Sequence, residues 1–294
     1  MRGDSLPGCD ALRGPSAAME RLWSQVRRVA PHFRTAVLIG EDGTGAECVA
    51  RVLHEGSRFR EMPLVPLSAE VAEARLVGAG ALVTLERVVY LEETERLSRS
   101  AQGALLRLVR VRGPRAACVI ARTRVDLKAL ASAGSFSGEL AAALGALRIT
   151  LPSLRERKED ISTLLRGVMA RQVEQMQRAA PKLSEDFVAA AEGFGWPGNL
   201  VQMEEMVRWL LLNRDVEELH GCDFEVAREE RKAAAVGVGQ AVRMIRLEQL
   251  VQEHTQAVLL ACQGNKLRAA EVLGISRSTL YRMLDAGMPF SMTG

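Results

Sequence analysis

The chain has 294 residues, of which 48% are apolar and 26% charged, a composition typical of a folded globular protein rather than a disordered or disulfide-stapled one. Its formal net charge of +3 is too small to indicate a partner by itself. The five cysteines are scattered and form no Cys-x-x-Cys pair, which argues against zinc and for reduced thiols. Since the sequence shows neither a signal peptide nor an apolar run of the roughly 18–20 residues that cross a bilayer, we expect a soluble cytoplasmic protein.

The first predicted elements are a helix, a strand, a glycine-rich turn and a second helix. Residues 1–15, rich in Gly, Pro and Ser, are expected to form a flexible N-terminus, and a helix should begin after Ser16 as its N-cap. The short apolar run 35–39 predicts a buried strand that ends at Gly40, and helical periodicity resumes over residues 48–54. A glycine-rich segment between a strand and a helix is the context in which a phosphate-binding loop occurs.

Further strands and a long helical region follow. The predicted elements are strands over residues 88–91, 117–121 and 147–151, and a helix over residues 100–109. From residue 158 to about residue 213 the pattern is helical throughout, except for the interruption at 196–199 (WPGN). Residues 219–240 are expected to combine a charged helix end with a flexible connection. The sequence therefore predicts an α/β fold with a parallel sheet, followed by helical segments.

The segment 151–161 (LPSLRERKEDI) resembles the peptide that joins the α/β core to the helical lid in sigma-54-dependent enhancer-binding activators, a branch of the AAA+ ATPases. The resemblance implies a three-layer core with a parallel sheet, followed by a helical lid. The expected organisation is a flexible N-terminus at 1–15, an AAA+ core at 16–150, a lid at 151–220, a linker at 221–239 and a last domain at 240–294. No receiver domain is expected ahead of the core, so a signal would arrive by protein contact, by a ligand or by expression level.

Residues 40–47 (GEDGTGAE) have the glycines of the family's phosphate loop but carry alanine at position 46, where the resemblance implies a lysine. In such a loop, backbone N–H groups wrap the phosphate oxygens and the lysine neutralises them. The run that ends in Glu92 and Glu93 resembles the family's strand ending in Asp-Glu. Because Mg²⁺ requires near-ideal octahedral geometry, the longer Glu92 disturbs a metal site, whereas Glu93 keeps a carboxylate that can orient a water. The residues of this vestigial cofactor site are Gly40, Gly43, Thr44, Gly45, Glu92 and Glu93.

Other catalytic positions implied by the resemblance have also changed. Arginines that reach the neighbouring subunit's γ-phosphate are replaced here by Ser137 and Ala143, and the sensor arginine of the lid is replaced by Val201. The sensor position near the end of residues 119–124 holds an arginine where a smaller polar residue is usual. An arginine supplied in trans contributes ~10³–10⁵ in rate. We therefore predict a pseudo-ATPase with no catalytic residue, no metal and no required cofactor, with weak ATP binding through the loop amides as an alternative.

The loop with which the family contacts sigma-54 is also missing. Residues 63–68 resemble the second strand of the family's core and residues 88–91 the third. The intervening residues 69–87 contain nothing that resembles the family's Gly-Ala-Phe-Thr-Gly-Ala motif. We therefore expect that this chain alone does not open sigma-54 promoters.

Residues 263–282 (QGNKLRAAEVLGISRSTLYR) resemble the Fis-like helix-turn-helix that ends these activators, which implies an all-α DNA-binding domain. The physical pattern agrees, because Ala269 and Ala270 are small enough for two helices to cross closely and Gly274 can end the first helix at little steric cost. The second helix would enter the major groove by its N-terminal residues. The predicted DNA-contacting residues are Lys266, Arg268, Ser276, Arg277, Ser278 and Arg282.

Apolar positions over residues 244–261 recur at spacings of three and four, which predicts a short seam for pairing with another helix. A dimer would place two recognition helices about one DNA turn apart. The expected partners are double-stranded DNA, further copies of the chain in a dimer or higher oligomer, and other enhancer-binding activators, with no membrane. The leading interpretation is a nucleoid-associated transcription regulator with an inactive core. A residual ATPase that activates sigma-54-type transcription and an architectural nucleoid protein are the alternatives.

Overall fold

The computed structural model describes residue 12, residues 14–78, 88–111 and 117–239, and the single residues Lys266 and Leu280. The chain divides into two compact units, residues 1–231 and residues 232–294. The sheet, the helices around it and the cavity discussed below belong to the first unit.

The first unit is built around one parallel sheet. Its strands are β1 (Thr35–Ile39), β2 (Leu64–Leu67), β3 (Val88–Leu91), β4 (Cys118–Thr123) and β5 (Arg148–Thr150). They hydrogen-bond in the order β2-β3-β4-β1-β5, and all four pairings are parallel. The predicted boundaries of β1 and β3 are confirmed, and β4 continues two residues beyond the predicted end at residue 121. The prediction of an α/β fold with a parallel sheet is therefore confirmed.

Helices cover both faces of the sheet. The helices of the core are α1 (Ala17–Val29), α2 (Ala46–Glu55), α3 (Ala69–Gly78), α4 (Arg99–Arg110), α5 (Leu127–Ser132) and α6 (Gly138–Leu144). Successive residues of β1 point to opposite faces, so that Leu38 belongs to the apolar cluster of α1 and α2, and Val37 to that of α4 and α6. Burial of both faces explains why the strands are continuous apolar runs in the sequence.

The predicted start of the first helix is confirmed. The Ser16 hydroxyl accepts a hydrogen bond from the Met19 N–H group at 3.3 Å, as an N-cap should. Ser16 also donates to Asp160, through its N–H group at 2.7 Å and its hydroxyl at 2.6 Å. The first helix is thus tied to the segment that begins the lid, 144 residues further along the chain.

The lid consists of helices around an aromatic core. Its elements are α7 (Ile161–Met176), β6 (Lys182–Leu183), α8 (Glu185–Gly193), α9 (Asn199–Asn213), β7 (Glu218–Leu219) and α10 (Gly221–Gly239), and the two short strands pair in parallel. Phe187, Phe194, Trp196 and Phe224 make edge-to-face contacts, with ring centroids between 5.2 and 5.9 Å apart. Such pairs stabilise a core by about 0.5–1.5 kcal/mol each beyond their buried area.

Two predictions for this region were wrong. The helical pattern from residue 158 breaks earlier than residues 196–199, because Gln177 adopts a left-handed φ of 51° that ends α7. The expected flexible connection over residues 219–240 is largely helix α10. Phe224 and Ala227, 1% and 0% exposed, are buried in the main apolar cluster and hold the start of this helix in place. Burial of Phe224 and Ala227 thus outweighs the charged composition at the start of the segment.

Two general expectations concern the membrane and the thiols. In the part of the chain that the structure describes, no helix combines the length and the apolar character needed to cross a bilayer. Cys48 is disulfide-bonded, so the expectation of reduced thiols was wrong at this position. Cys118 is a free, buried thiol, and burial raises its pKa to about 12.

Candidate functional site

The segment between β1 and α2 has the backbone of a phosphate loop. Gly43 and Gly45 adopt φ values of 73° and 91°, in the left-handed region that favours glycine. A Cβ atom on Gly43 would lie 2.3 Å from the carbonyl oxygen of Gly198, and one on Gly45 would lie 2.4 Å from a methyl carbon of Leu12. Both glycines are therefore required by backbone conformation and by close packing.

Helix α2 begins at the wall of a cavity of about 630 Å³. Its N-cap, Gly45, has no side chain, so no side-chain hydrogen bond satisfies the first N–H groups of the helix. Ala46, the first helical residue, lines the cavity with a methyl group only. The Thr44 hydroxyl donates to the carbonyl oxygen of Glu41 at 2.8 Å. The loop thus presents backbone amides, without a lysine.

Carboxylates dominate the wall of this cavity. The acidic lining residues are Glu41, Asp42, Glu47, Glu92, Glu93 and Glu204, and the basic ones are Arg51 and Arg122. Five of the six carboxylates form ion pairs with arginines. The pairs are Glu41–Arg155, Asp42–Arg122, Glu47–Arg51, Glu93–Arg96 and Glu204–Arg171. Among the described residues Glu92 has no ion-pair partner. Among the charged lining residues that the structure describes, the one without an ion-pair partner is therefore negative.

Arg122 is the buried cation of the site. It lies near the end of β4, and its side chain is 9% exposed. Its guanidinium donates to Asp42 Oδ1 at 2.5 Å and to the carbonyl oxygen of Gly40 at 3.3 Å. The other oxygen of Asp42 lies 3.2 Å from the guanidinium of Arg124, which also contacts Glu93 at 3.0 Å. Both arginines at the end of β4 therefore bind the chain's own carboxylates.

The carboxylate strand ends in a constrained turn. Glu93 has a left-handed φ of 46°, which is unusual for a residue with a side chain. Its carboxylate pairs with Arg96 at 2.7 Å and with Arg124 at 3.0 Å. Tyr90 is 2% exposed, and burial raises the pKa of its hydroxyl above the ordinary value, as does the neighbouring charge of Glu92. Of the two predicted carboxylates, Glu93 is held by arginines and Glu92 is not.

The positions of the missing arginines have ordinary structural environments. The Ser137 hydroxyl caps α6 by accepting from the Leu140 N–H group at 3.3 Å, and its own N–H group donates to Gln102 at 2.8 Å. Ala143 accepts a hydrogen bond at its carbonyl oxygen from the Thr35 hydroxyl at 3.1 Å. Val201 lines the cavity and is 52% exposed. Of these three positions, only the lid residue Val201 lies at the cavity.

The lid contacts the phosphate loop directly through Asn199, which is fully buried and has a left-handed φ of 52°. Its amide donates to the carbonyl oxygen of Asp42 at 2.8 Å, and its oxygen accepts from the Leu154 N–H group at 2.8 Å. Arg155 makes two hydrogen bonds to Glu41, and these lower the pKa of that carboxyl. No local signal in the sequence indicates these contacts or places Leu12 at the site, whereas an arginine near the end of residues 119–124 was expected at the sensor position.

The predicted DNA-binding residues fall almost entirely outside the described part of the chain. Lys266 is an exposed residue in a helix, which is compatible with a phosphate contact. Arg268, Ser276, Arg277, Ser278 and Arg282 lie outside the described residues, as does the predicted helical seam over residues 244–261. The part of the chain that is described contains no group of three or more His, Cys, Asp or Glu side chains placed to bind a metal ion.

A parallel sheet in this strand order, a glycine loop between β1 and α2, and a helical lid that contacts the loop define a core of the AAA+ class. Family models agree along the chain. A model of the sigma-54 interaction domain matches residues 13–154, one of the AAA+ ATPase lid domain matches residues 155–238, and one of the bacterial regulatory proteins of the Fis family matches residues 247–286. The matched lid includes most of α10.

The most similar curated proteins include transcription regulators over nearly the whole chain. The transcriptional regulatory protein ZraR of Escherichia coli K12 is 31% identical over 304 residues, covering 92% of this chain and 68% of that one. The alginate biosynthesis regulator AlgB of Pseudomonas aeruginosa is also 31% identical, over 93% of this chain and 66% of that one. NtrX from Brucella abortus, solved in complex with ATP, has a TM-score of 0.67 and 27% identity over 98% of this chain and 70% of that one. The chain belongs to the sigma-54-dependent enhancer-binding regulators, and it is a transcription regulator with a Fis-type helix-turn-helix.

Proposed function

We propose that this regulator binds duplex DNA through residues 240–294 and that its AAA+ core does not hydrolyse ATP. The observation that carries the second part is the state of the charges in the cavity. Both arginines that line it are engaged by the chain's own carboxylates, and in the described part of the chain the lining charge without a partner is that of Glu92. The negatively charged polyphosphate of a nucleotide would find no unpaired cation among these residues.

Coulomb's law gives the order of magnitude of the electrostatic cost of binding such a ligand. Two like unit charges 4 Å apart repel by about 4 kcal/mol at an effective dielectric constant of about 20. A phosphate in this cavity would approach Glu92 without the lysine that would otherwise neutralise it, because position 46 is alanine. It would also have to displace Asp42 from Arg122 and Glu47 from Arg51. We therefore expect binding of ATP to be weak at best.

Other groups that ATP hydrolysis requires are also engaged elsewhere or absent. Glu93, the carboxylate that could orient a water, is engaged by Arg96 and Arg124. Ser137 and Ala143 have no cationic group to offer the phosphate of a neighbouring subunit. Because transition-state charge in phosphoryl transfer is stabilised mainly by such cations, their combined loss predicts a rate indistinguishable from the uncatalysed one. The core would then serve to assemble copies of the chain, or to join other activators, without responding to ATP.

The first prediction concerns turnover. Phosphate release by the purified full-length chain with Mg²⁺ and ATP should equal the buffer background. Glu93→Gln should not change it. Glu139→Gln is the matched control, since Glu139 is exposed and pairs with Arg110 away from the cavity. A turnover that Glu93→Gln abolishes and Glu139→Gln preserves would contradict the proposal and support a residual ATPase.

The second prediction concerns the missing lysine. Ala46→Lys should tighten ADP binding by about tenfold, equivalent to about 1.4 kcal/mol, because it adds a cation at the start of α2 in the cavity that Glu92 also lines. Turnover should remain at background, because Ser137 and Ala143 still supply no arginine. Ala74→Lys, on the exposed side of α3, is the control and should leave ADP binding unchanged. Measurable turnover in Ala46→Lys would show that the absent arginines are not limiting.

One observation favours the alternative of a nucleotide-binding regulator. The first N–H groups of α2 have no side-chain cap, and such a helix start attracts anions. Isothermal titration of the unmodified chain with ADP distinguishes the two candidates. A dissociation constant in the micromolar range would favour nucleotide control of the core, whereas the proposed function requires binding much weaker than that.

A further inference from the structure

Several arginines lie at the edge of the sheet opposite the cavity. Because the sheet is parallel, the amino-terminal ends of its strands share one edge, the amino edge, and the glycine loop and the end of β3 lie at the other. Arg34 directly precedes β1, and Arg58 lies in the segment before β2. Arg27 and Arg28 belong to the last turn of α1, and Arg110 ends α4. Arginines from separate elements therefore reach the amino edge.

Arg34 and Arg58 both lie near the first residue of β4. The guanidinium of Arg34 donates a hydrogen bond to the carbonyl oxygen of Val109 at the end of α4. Burial raises the pKa of the Cys118 thiol at the start of β4 to about 12, and the nearby charges of Arg58 and Arg34 act against that shift. The two arginines, which are distant in the sequence, are thus neighbours of one strand end.

The end of α1 adjoins the segment that carries Arg58. A Cβ atom on Gly56 would lie 2.8 Å from the Cβ atom of Ala30, so the ends of α1 and α2 are in contact. Helix α1 has 13 residues and is therefore about 20 Å long. Its N-cap is bound to the start of the lid. Arg27 and Arg28, at the other end of the helix, consequently lie on the side of Arg58 and away from the lid.

The chain does not neutralise three of these arginines. Arg27, Arg28 and Arg58 are exposed, and none of them has an ion-pair partner in the described part of the chain. The guanidinium of Arg58 is held over the Phe59 ring, 4.8 Å from its centroid. The backbone of Phe59 is fixed in turn, because its N–H group donates to the Ser57 hydroxyl at 3.0 Å. The amino edge thus presents exposed cations, one of which is held in a defined position.

The carboxylates near the amino edge do not balance this charge. Glu61 pairs with Arg60, and Glu139 pairs with Arg110. Glu55, at the end of α2, is the nearby acidic residue that remains. At the opposite edge, the charged residues that line the cavity are predominantly acidic. The core is therefore polarised, with basic side chains in excess at the amino edge and acidic side chains in excess at the cavity.

We propose that the amino edge of the core is a second DNA-contacting surface, which binds phosphates of the duplex in addition to those contacted by the helix-turn-helix. The ligand class is the backbone of double-stranded DNA, and the contact is independent of sequence. Arginine suits this role, because its guanidinium forms charge-assisted hydrogen bonds with phosphate oxygens. The inference rests on the proposed function in one respect, namely that residues 240–294 bring the chain to duplex DNA.

The test is fluorescence anisotropy of the full-length chain with a labelled duplex of mixed sequence, about six helical turns long, at several salt concentrations. The variant is Arg27→Gln/Arg28→Gln/Arg58→Gln. Its affinity should fall by about tenfold or more relative to the unmodified chain. The dependence of log K on log salt should become shallower by about 2–3 units, because each lost phosphate contact contributes ~0.9.

The matched control removes the same number of cations elsewhere. Lys128, Arg166 and Arg208 are exposed residues of α5, α7 and α9. Lys128→Gln/Arg166→Gln/Arg208→Gln should leave the affinity and the salt slope nearly unchanged. This comparison separates the position of the charges from the net charge of the chain, which falls equally in both variants.

A charge-preserving variant guards against a structural explanation. Arg27→Lys/Arg28→Lys/Arg58→Lys loses the guanidinium groups, including the one over the Phe59 ring, but keeps three positive charges. It should retain most of the affinity and the salt slope of the unmodified chain. Thermal unfolding of each variant, followed by circular dichroism, verifies that the core remains folded.

Three outcomes would overturn the proposal. These are an unchanged salt slope in the glutamine variant, an equal loss in the matched control, and a loss of binding to poly-L-glutamate but not to DNA, which would assign the surface to an acidic protein. Failure of the proposed function has a different signature, because Lys266→Ala and Arg277→Ala would then leave DNA binding unchanged. If those two substitutions weaken binding and the glutamine variant does not, only the role assigned to the amino edge is wrong.

Discussion

Replacing Asp160 by asparagine should lower the free energy of unfolding by about 3–5 kcal/mol, because it breaks a buried ion pair by removing one partner. The side chains of Asp160 and Arg157 are both 0% exposed, and their nearest charged atoms lie 3.9 Å apart. The three guanidinium nitrogens of Arg157 have no hydrogen-bond partner among the residues that the structure describes, so Asp160 is the counter-charge on which this group depends there. Burial lowers the pKa of Arg157, and the charge of Asp160 opposes that shift.

Urea unfolding followed by tryptophan fluorescence measures this effect, with Trp196 as a buried probe in the lid. Asp215→Asn is the control, because it removes an exposed ion pair with Arg178 and should cost no more than about 1 kcal/mol. Adding Arg157→Met to Asp160→Asn should recover much of the loss, since the unpaired buried charge is then gone. Equal losses in Asp160→Asn and Asp215→Asn would contradict the assignment of a buried, energetically important pair.

Deleting residues 262–294 should abolish specific binding of duplex DNA, since the whole predicted recognition element lies there. Within that element Arg277→Ala should cost ~1–3 kcal/mol at the preferred site and little elsewhere, as expected for a contact to a base. Lys266→Ala should instead weaken binding similarly on all sequences and reduce the salt slope by about one unit, as expected for a phosphate contact. Titrations at several salt concentrations separate the two effects.

The matched control for Lys266→Ala is Lys128→Ala, which removes an exposed lysine from the start of α5 in the core. It should change neither the affinity nor the salt slope. If deletion of residues 262–294 leaves the affinity unchanged, the assignment of DNA binding to the C-terminal segment is wrong. If Lys128→Ala has the effect expected of Lys266→Ala, the core takes part in binding the phosphate backbone.

Much of the fold could be predicted from the sequence because its signals are local. Buried parallel strands are apolar runs in any context, so β1 and β3 have their predicted boundaries. Ser16 caps a helix through its own neighbouring backbone, and Gly43 and Gly45 are required by positive φ angles in the loop itself. The replacement of the phosphate-binding lysine by alanine at position 46 is likewise evident from that one residue. These features depend on few neighbours and need no knowledge of the rest of the chain.

The tertiary structure decided the features that join distant parts of the chain. Helix α10 forms where a flexible connection was predicted, because Phe224 is buried in the main apolar cluster. The contact of Arg122 with Asp42 spans 80 residues, and that of Arg155 with Glu41 spans 114. These residues lie in segments that the sequence marks, but no local pattern indicates which of them pair across such distances. The sequence by itself therefore determined that the phosphate loop lacks its cation. Which arginines occupy the site was decided only by the folded arrangement, because folding brings the end of β4 and the lid to the loop.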